Sequence, residues 1–398
     1  MDSFFRFIKY LEQYRKILLI IIIFLAIAIF ALVFMLLTNK KSQNNSVTNS
    51  SSTEISSSQE TTIISTSTST ATATPIPKVP DPLTGEMIEQ REYDRLASLT
   101  MIPIVVENHP DARPQSGLSQ AEAVYEYLAE GGITRYLAVF LGNNPTRIGP
   151  ERSLRTYLAA SGSEYHGIVA HHGFTAKRAE GGYAFDPNLI DVPYFDSVNG
   201  IRHTECGGYR DQVLVQKVAY EHTLFNTLKD IRDCAGSVKW NTDFVKYKFT
   251  SVPDIANSTP AVDIVLDLVK NTPDYAVEWN YDVVSGKYLR KLATKNDVDF
   301  NTKSQIAVKN LIIMKIPMLY SNNTLENDVY YKLVGEGKAE YIHDGVSQEV
   351  TWKKAGWTDR TLYFDSITGE EVKFQIGNFW YEMMPTNGTT LTGSLVVK

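Results

Sequence analysis

Glu107, Asn108, His109, Arg113 and Gln115 fall within nine residues and offer a carboxylate, an imidazole, a guanidinium and two amides. Arg135, Arg147, Arg152 and Arg155 follow, and His171 and His172 stand further on. Several forked guanidiniums close to helix starts make a site for a carboxylate or phosphate, because charge-assisted bonds and the positive helix end act together. The competing reading is structural: the same arginines can pair with Glu107, Glu126, Glu130 and Glu151 and pin loops. Acid/base chemistry is open to Glu107 with Glu126 or Glu130, since a burial-shifted carboxyl can face an ionised one. His171, His172, His203 and Cys206 carry metal-ligating atoms. No HExxH, paired CxxC or acidic calcium loop accompanies them, so neither a metal nor a cofactor is expected. No GxSxG or SxxK nucleophile motif is present either.

The elements that must position these residues are legible in the hydropathy pattern. Residues 101–107, MIPIVVE, read as a buried strand followed by a loop rich in turn formers. Ser119 stands three residues before Glu122, the spacing of a capping box, and Ala121, Val124, Tyr125 and Leu128 follow at helical intervals, with Gly131 and Gly132 as the stop. Residues 134–142 and 167–173 read as strands, 151–160 as a second helix, and 211–231 as a long helical pattern closing this half. Strands alternating with helices imply a mixed sheet, with binding groups in the loops after strand ends. Beyond Lys239 the chain turns to short Val/Tyr/Ile-rich runs separated by Ser285-Gly286, Asp344-Gly345 and Thr368-Gly369, which predicts mainly antiparallel β structure. Trp279, Tyr281, Trp352, Trp357, Trp380 and Tyr381 could form a glycan-stacking platform, although alternating strand positions favour core packing.

The N-terminal eighty residues have a different character. Ile17 to Leu37 is an unbroken apolar run of 21 positions. As a helix it would measure about 31 Å, the depth of a bilayer's hydrocarbon core. Arg6, Lys9, Arg15 and Lys16 precede it, so residues 1–16 are expected in the cytoplasm and the remainder outside. A run this long without a small-x-small cleavage pattern reads as an uncleaved signal anchor. Between Ser42 and Thr74, 20 of 33 residues are Ser or Thr. Such a tract cannot bury enough apolar surface to order itself, so residues 38–82 are expected to act as a linker. Net charge is −6, yet residues 1–41 hold six Lys/Arg against two acids, leaving the rest near −10. A portion that acidic argues against nucleic acid as a partner. Cys206 and Cys234 are the sole cysteines. A disulfide between them is permitted outside the cytoplasm, and two small core residues are the simpler reading.

The stretch ENHPDARPQSGLSQAEAVYEYLAEGGITRYLAVF, then RIGPERSLRTY, DSVNG at 196–200, YAVEWNYD, TWKKAGWTDRTLYFD and the Trp380 segment closely resemble the YerB-like family of bacterial envelope proteins, a two-part domain of unknown function. The resemblance covers about residues 83–398. It departs where the family shows Ala-Pro-His-Asn and this chain has Ala219, Tyr220, Glu221 and His222. It implies an envelope location and a two-part architecture, and no activity. The fold expected is therefore α+β in two domains after one transmembrane helix: an α/β half at 83–238 with a mixed sheet, and a β-rich, mainly antiparallel half at 239–398. The function expected is binding of an anionic ligand, a cell-wall component or another envelope protein through Glu107, Asn108, His109, Arg113, Gln115, Glu126, Glu130, Arg135, Arg152, Arg155 and His171. The alternative is a wall-acting hydrolase or transferase using glutamates.

Overall fold

A computed structural model of the protein describes residues 77–173, 194–196, 208–235, 246–268, 272–320, 329–386 and 394–398. The proposed anchor, the Ser/Thr tract, His203 and Cys206 lie outside the described residues. No helix among the described residues is long and apolar enough to cross a membrane.

The first half contributes β1 (Ile102–Glu107), β2 (Ala123–Leu128), β3 (Thr134–Phe140), β4 (Val169–His171) and β5 (Tyr194–Asp196), with helices α1 (Gln90–Ala97), α2 (Thr156–Ser163) and α3 (Leu228–Ala235). The second contributes β6 (Asp263–Asp267), β7 (Ala276–Asp282), β8 (Lys287–Leu292), β9 (Asn310–Ile316), β10 (Gly335–His343), β11 (Val346–Lys354), β12 (Leu362–Asp365), β13 (Phe379–Pro385) and β14 (Ser394–Val397). One 11-stranded sheet runs through both halves in the order β11-β10-β9-β13-β2-β3-β1-β4-β5, with Thr259–Pro260 at the outer edge and β12 also on β11. The halves join at a parallel pair, β13 on β2, where Tyr381 faces Tyr125 and Glu382 faces Glu126 in register. A second, six-stranded sheet holds β8-β7-β6-β14 and two short strands.

Central strands buried on both faces need apolar residues in both phases, which explains the near-continuous runs of β1, β2 and β3. Val105, Tyr125, Tyr127, Leu137 and Tyr381 pack on one face with α2 residues Tyr157 and Leu158. Val106, Val124, Tyr136, Ile313 and Trp380 pack on the other, against Ile264, Leu266 and Trp279 of the second sheet. The result is mostly β, with few and short helices.

Three sequence expectations are corrected. Ala123–Leu128, within the stretch read as a helix from 121 to 128, form strand β2, and all six of its residues are buried. A side-chain cap stabilises a helix by about 1 kcal/mol, whereas fully burying each large apolar side chain contributes about 1.5–3 kcal/mol, so burial of Val124, Tyr125, Tyr127 and Leu128 decides. The groups of the supposed capping box are used elsewhere: the Ser119 amide donates to Asp299, and the Glu122 carboxylate accepts from the amides of Leu141, Gly142 and Asn143. Gly131 and Gly132, at φ 74° and 72°, make the tight connection to β3 rather than a helix end. The second helix starts at Thr156 and not at Glu151, because the amides of Glu151, Arg152 and Leu154 are bonded to Leu224, Val105 and Gly173 carbonyls. The long helix over 211–231 is replaced by a capped turn at Asp211, whose carboxylate accepts from Val213 and Leu214, the 3-10 turn Tyr220–His222 and α3. Residues 211–221 are exposed or half-buried and offer no apolar stripe to hold a helix down; the buried residues of this stretch begin at His222.

Glu122 supplies a pH prediction. Burial pushes its carboxyl up to about 7 against the three amide bonds that favour the anion. The folded protein therefore holds a proton that the unfolded chain releases near 4.5, so Glu122's contribution is most favourable below 4.5 and is lost as pH rises towards 7. Across that window stability should fall by about 3 kcal/mol from this group. Glu122→Gln should flatten that part of the profile in urea denaturation; an unchanged slope would show that Glu122 is not its origin.

Candidate functional site

The eleven candidate residues do not converge on one cleft; they divide among an inward polar string, an ion cluster beside α2, the buried His171 and a solvent-facing rim. The string begins at Arg113, whose Nε and Nη2 donate to the side-chain and backbone oxygens of Asn108 while Nη1 donates to the Asp274 carbonyl. Gln115 donates to the same Asn108 oxygen. Asn108 donates to Thr134 at 2.7 Å, and Thr134 donates to Glu126 at 2.6 Å. Arg290 donates to the other Glu126 oxygen at 2.6 Å and pairs with Asp297. Glu126, Arg290 and Glu382 are 0% exposed. Trp380, Trp279 and Tyr136 wall the Arg290 guanidinium at 4.8, 5.7 and 5.7 Å.

Glu382 lies across from Glu126 and accepts from Trp279 Nε1 at 2.9 Å. Burial, and then the charge of Glu126, push its carboxyl well above the ordinary carboxylate range. Glu382 thus favours its neutral, protonated form, while Glu126 is bonded to Arg290. This arrangement ties the two halves together in the core.

Beside α2, Arg155 Nε bonds Glu130 at 2.9 Å, with Arg135 3.9 Å from the same carboxylate and donating to the Ser153 carbonyl. Burial lowers the pKa of Arg135. His171, fully buried, bonds the Gly173 carbonyl through Nδ1 at 2.8 Å.

The rim is built where β1 ends. Pro110 starts a 3-10 turn, and the His109 ring caps it by accepting the Asp111 amide. Opposite, the 3-10 turn at 220–222 is held by Thr223, whose hydroxyl donates to the Tyr220 carbonyl. These two turns stack His109 on His222, with ring centroids 4.5 Å apart and planes 7° apart. Buried Glu107 takes His222 Nδ1 at 2.9 Å and Arg152 Nε at 3.2 Å. Arg152 also bonds Glu221 at 3.0 Å, and its side chain remains 23% exposed. The Arg152 bond, with smaller pulls from His222 and His109, holds the Glu221 carboxyl below its usual range. One donor atom each of His109, Asp111 and His222 lies within 4.8 Å of the others.

Sequence reasoning named Glu107, His109 and Arg152 and missed Asp111, Glu221 and His222. Nothing in the local sequence pairs turn 109–112 with turn 220–222. Arg290 and Glu382 carried a usable signal: each is a charged residue at an inward position of a strand, as the alternating burial of KYLRKL shows for Arg290.

Architecture and comparison agree on the class. Residues 83–235 match the N-terminal domain of a protein family of unknown function, DUF3048, and residues 266–381 match its C-terminal domain; the chain belongs to that family, as the YerB-like resemblance implied. A Bacillus subtilis (strain 168) protein described as "Putative lipoprotein YerB" is 27% identical over 327 residues, covering 81% of this chain and 91% of its own length. The crystal structure of the YerB protein from Bacillus subtilis superposes with a TM-score of 0.65 at 25% identity, covering 80% of this chain and 100% of that one.

Proposed function

We propose that this chain is an extracytoplasmic envelope protein, tethered by its Ile17–Leu37 segment, that binds an anionic group at the rim formed by His109, Arg152 and His222 without catalysing a reaction. The apolar run with its leading basic residues supports the tether and orientation. The lipoprotein description of the Bacillus subtilis relative supports a membrane-associated, extracytoplasmic setting. The observation that carries the binding role is the placement of Arg152: oriented by buried Glu107, it presents a partly exposed guanidinium beside two stacked imidazoles. The hydrolase alternative asks for two carboxyl groups facing each other across an open groove. Glu126 is sealed against Arg290, Glu130 is held by Arg155, and Glu107 is held by Arg152 and His222, which favours binding over catalysis.

The test is retention of the full-length protein in detergent on phosphate- and carboxylate-bearing cell-wall fragments and on lipid-linked phosphate. A charge-assisted bond contributes about 1.5–3 kcal/mol, so Arg152→Ala should weaken binding about 10–100-fold. Retention of none of these materials, or equal retention by Arg152→Ala, would overturn the reading.

A further inference from the structure

We infer that His109, Asp111 and His222 form a binding site for a divalent transition metal of the zinc type, with Glu107 as the residue that orients His222. Two imidazoles and one carboxylate, with no thiolate, are a donor set suited to zinc and its neighbours, whereas magnesium and calcium prefer all-oxygen shells. Their donor atoms already lie within 4.8 Å of one another. The backing supports the assignment further. Glu107 lies 2.9 Å from His222 Nδ1, so the tautomer in which Nδ1 donates to Glu107 has its lone pair on Nε2, and Glu107 is itself buried and anchored to Arg152. A carboxylate behind a histidine in this manner fixes ring orientation and raises ligand basicity in metal sites.

His109, with 37% of its side chain exposed, and Asp111, with 59%, have room to close the remaining distance. The bond given up is the 3.2 Å contact from the Asp111 amide to the His109 ring. Three protein ligands leave a coordination position open. A bound ion could there take an oxygen of the anionic group, with Arg152, which shares Glu107 with His222, holding another. For the identity of that ligand the inference rests on the anion-binding reading above; for the ion it stands on the ligand geometry alone.

The experiment is equilibrium dialysis of the metal-free full-length chain in detergent against Zn2+, with Mg2+ as a contrast and Co2+ for its visible absorption. Wild type should bind one Zn2+ per chain in preference to Mg2+, and the Co2+ form should show a low-coordinate spectrum. Asp111→Asn alters an exposed residue and should preserve the thermal unfolding of the metal-free chain while weakening Zn2+ binding at least 10-fold; His109→Ala also removes a turn cap and a ring stack, and should weaken Zn2+ binding by at least as much. Glu107→Gln should weaken it about 10–100-fold, as loss of an orienting partner does. Wild type without stoichiometric Zn2+, or Asp111→Asn and His109→Ala both binding like wild type, would overturn the site. Repeating the wall-fragment assay with and without EDTA separates the two readings. Zn2+ binding with no anion retention sinks the anion reading alone, and anion retention by a chain that takes up no Zn2+ sinks the metal site alone.

Discussion

Arg290→Ala is expected to lower stability by about 3–5 kcal/mol, because removing one member of a fully buried ion pair leaves the other charged and unsolvated. Here two anions lose their partner, Glu126 and Asp297, and both are buried. The guanidinium also packs against the rings of Trp380 and Trp279, so packing is lost with the charge. Glu382→Gln, on the strand next to Glu126, should cost less than about 1.5 kcal/mol, since it replaces an acid that favours its neutral form by a neutral group of the same shape. Its oxygen can still accept from Trp279. Urea denaturation followed by tryptophan fluorescence measures both. Equal costs for the two substitutions would mean that Glu382, and not only Glu126, is ionised against Arg290.

Glu164→Ala should cost a similar amount, about 3–5 kcal/mol, at a second seam between the halves. Glu164, at the end of α2, accepts from Lys354 Nζ of β11 at 2.7 Å and from the Thr361 hydroxyl at 2.7 Å. Arg360 lies 3.7 Å away, sandwiched near the rings of Tyr165 and Tyr247 at 4.2 and 4.1 Å. Removing the carboxylate strands two buried cations. The pKa of Lys354 is already lowered by burial, opposed by Glu164. Adding Lys354→Met to Glu164→Ala should recover part of the loss, because the unpaired ammonium is gone. If the double variant were no more stable than Glu164→Ala, the cost would come from cavity and hydrogen-bond loss and not from stranded charge.

Strand positions were legible where burial on both faces forced continuous apolar runs: residues 101–107 and 134–142 contain β1 and β3 as observed. The helix expected over 121–128 failed because helical spacing and a capping signal are short-range cues, while β2 is decided by β3 and β13 on either side. The 211–231 pattern failed for the opposite reason. The apolar residues of 211–221 stay exposed or half-buried, and only those from Leu224 onward reach the core.

The sequence by itself determined what depends on composition and on neighbours along the chain: an apolar run of bilayer length, a Ser/Thr tract, an acidic remainder, a β-rich second half and a polar loop starting at Glu107. Only the tertiary structure decided which charges meet. Glu126 and Glu382 are 256 positions apart, yet β13 pairs with β2 and sets them side by side. His222 reaches Glu107 and the ring of His109 from a turn more than a hundred residues away. Coulomb energy and hydrogen bonding act over a few ångströms of space. Distance along the chain does not report that spacing until the sheet has closed.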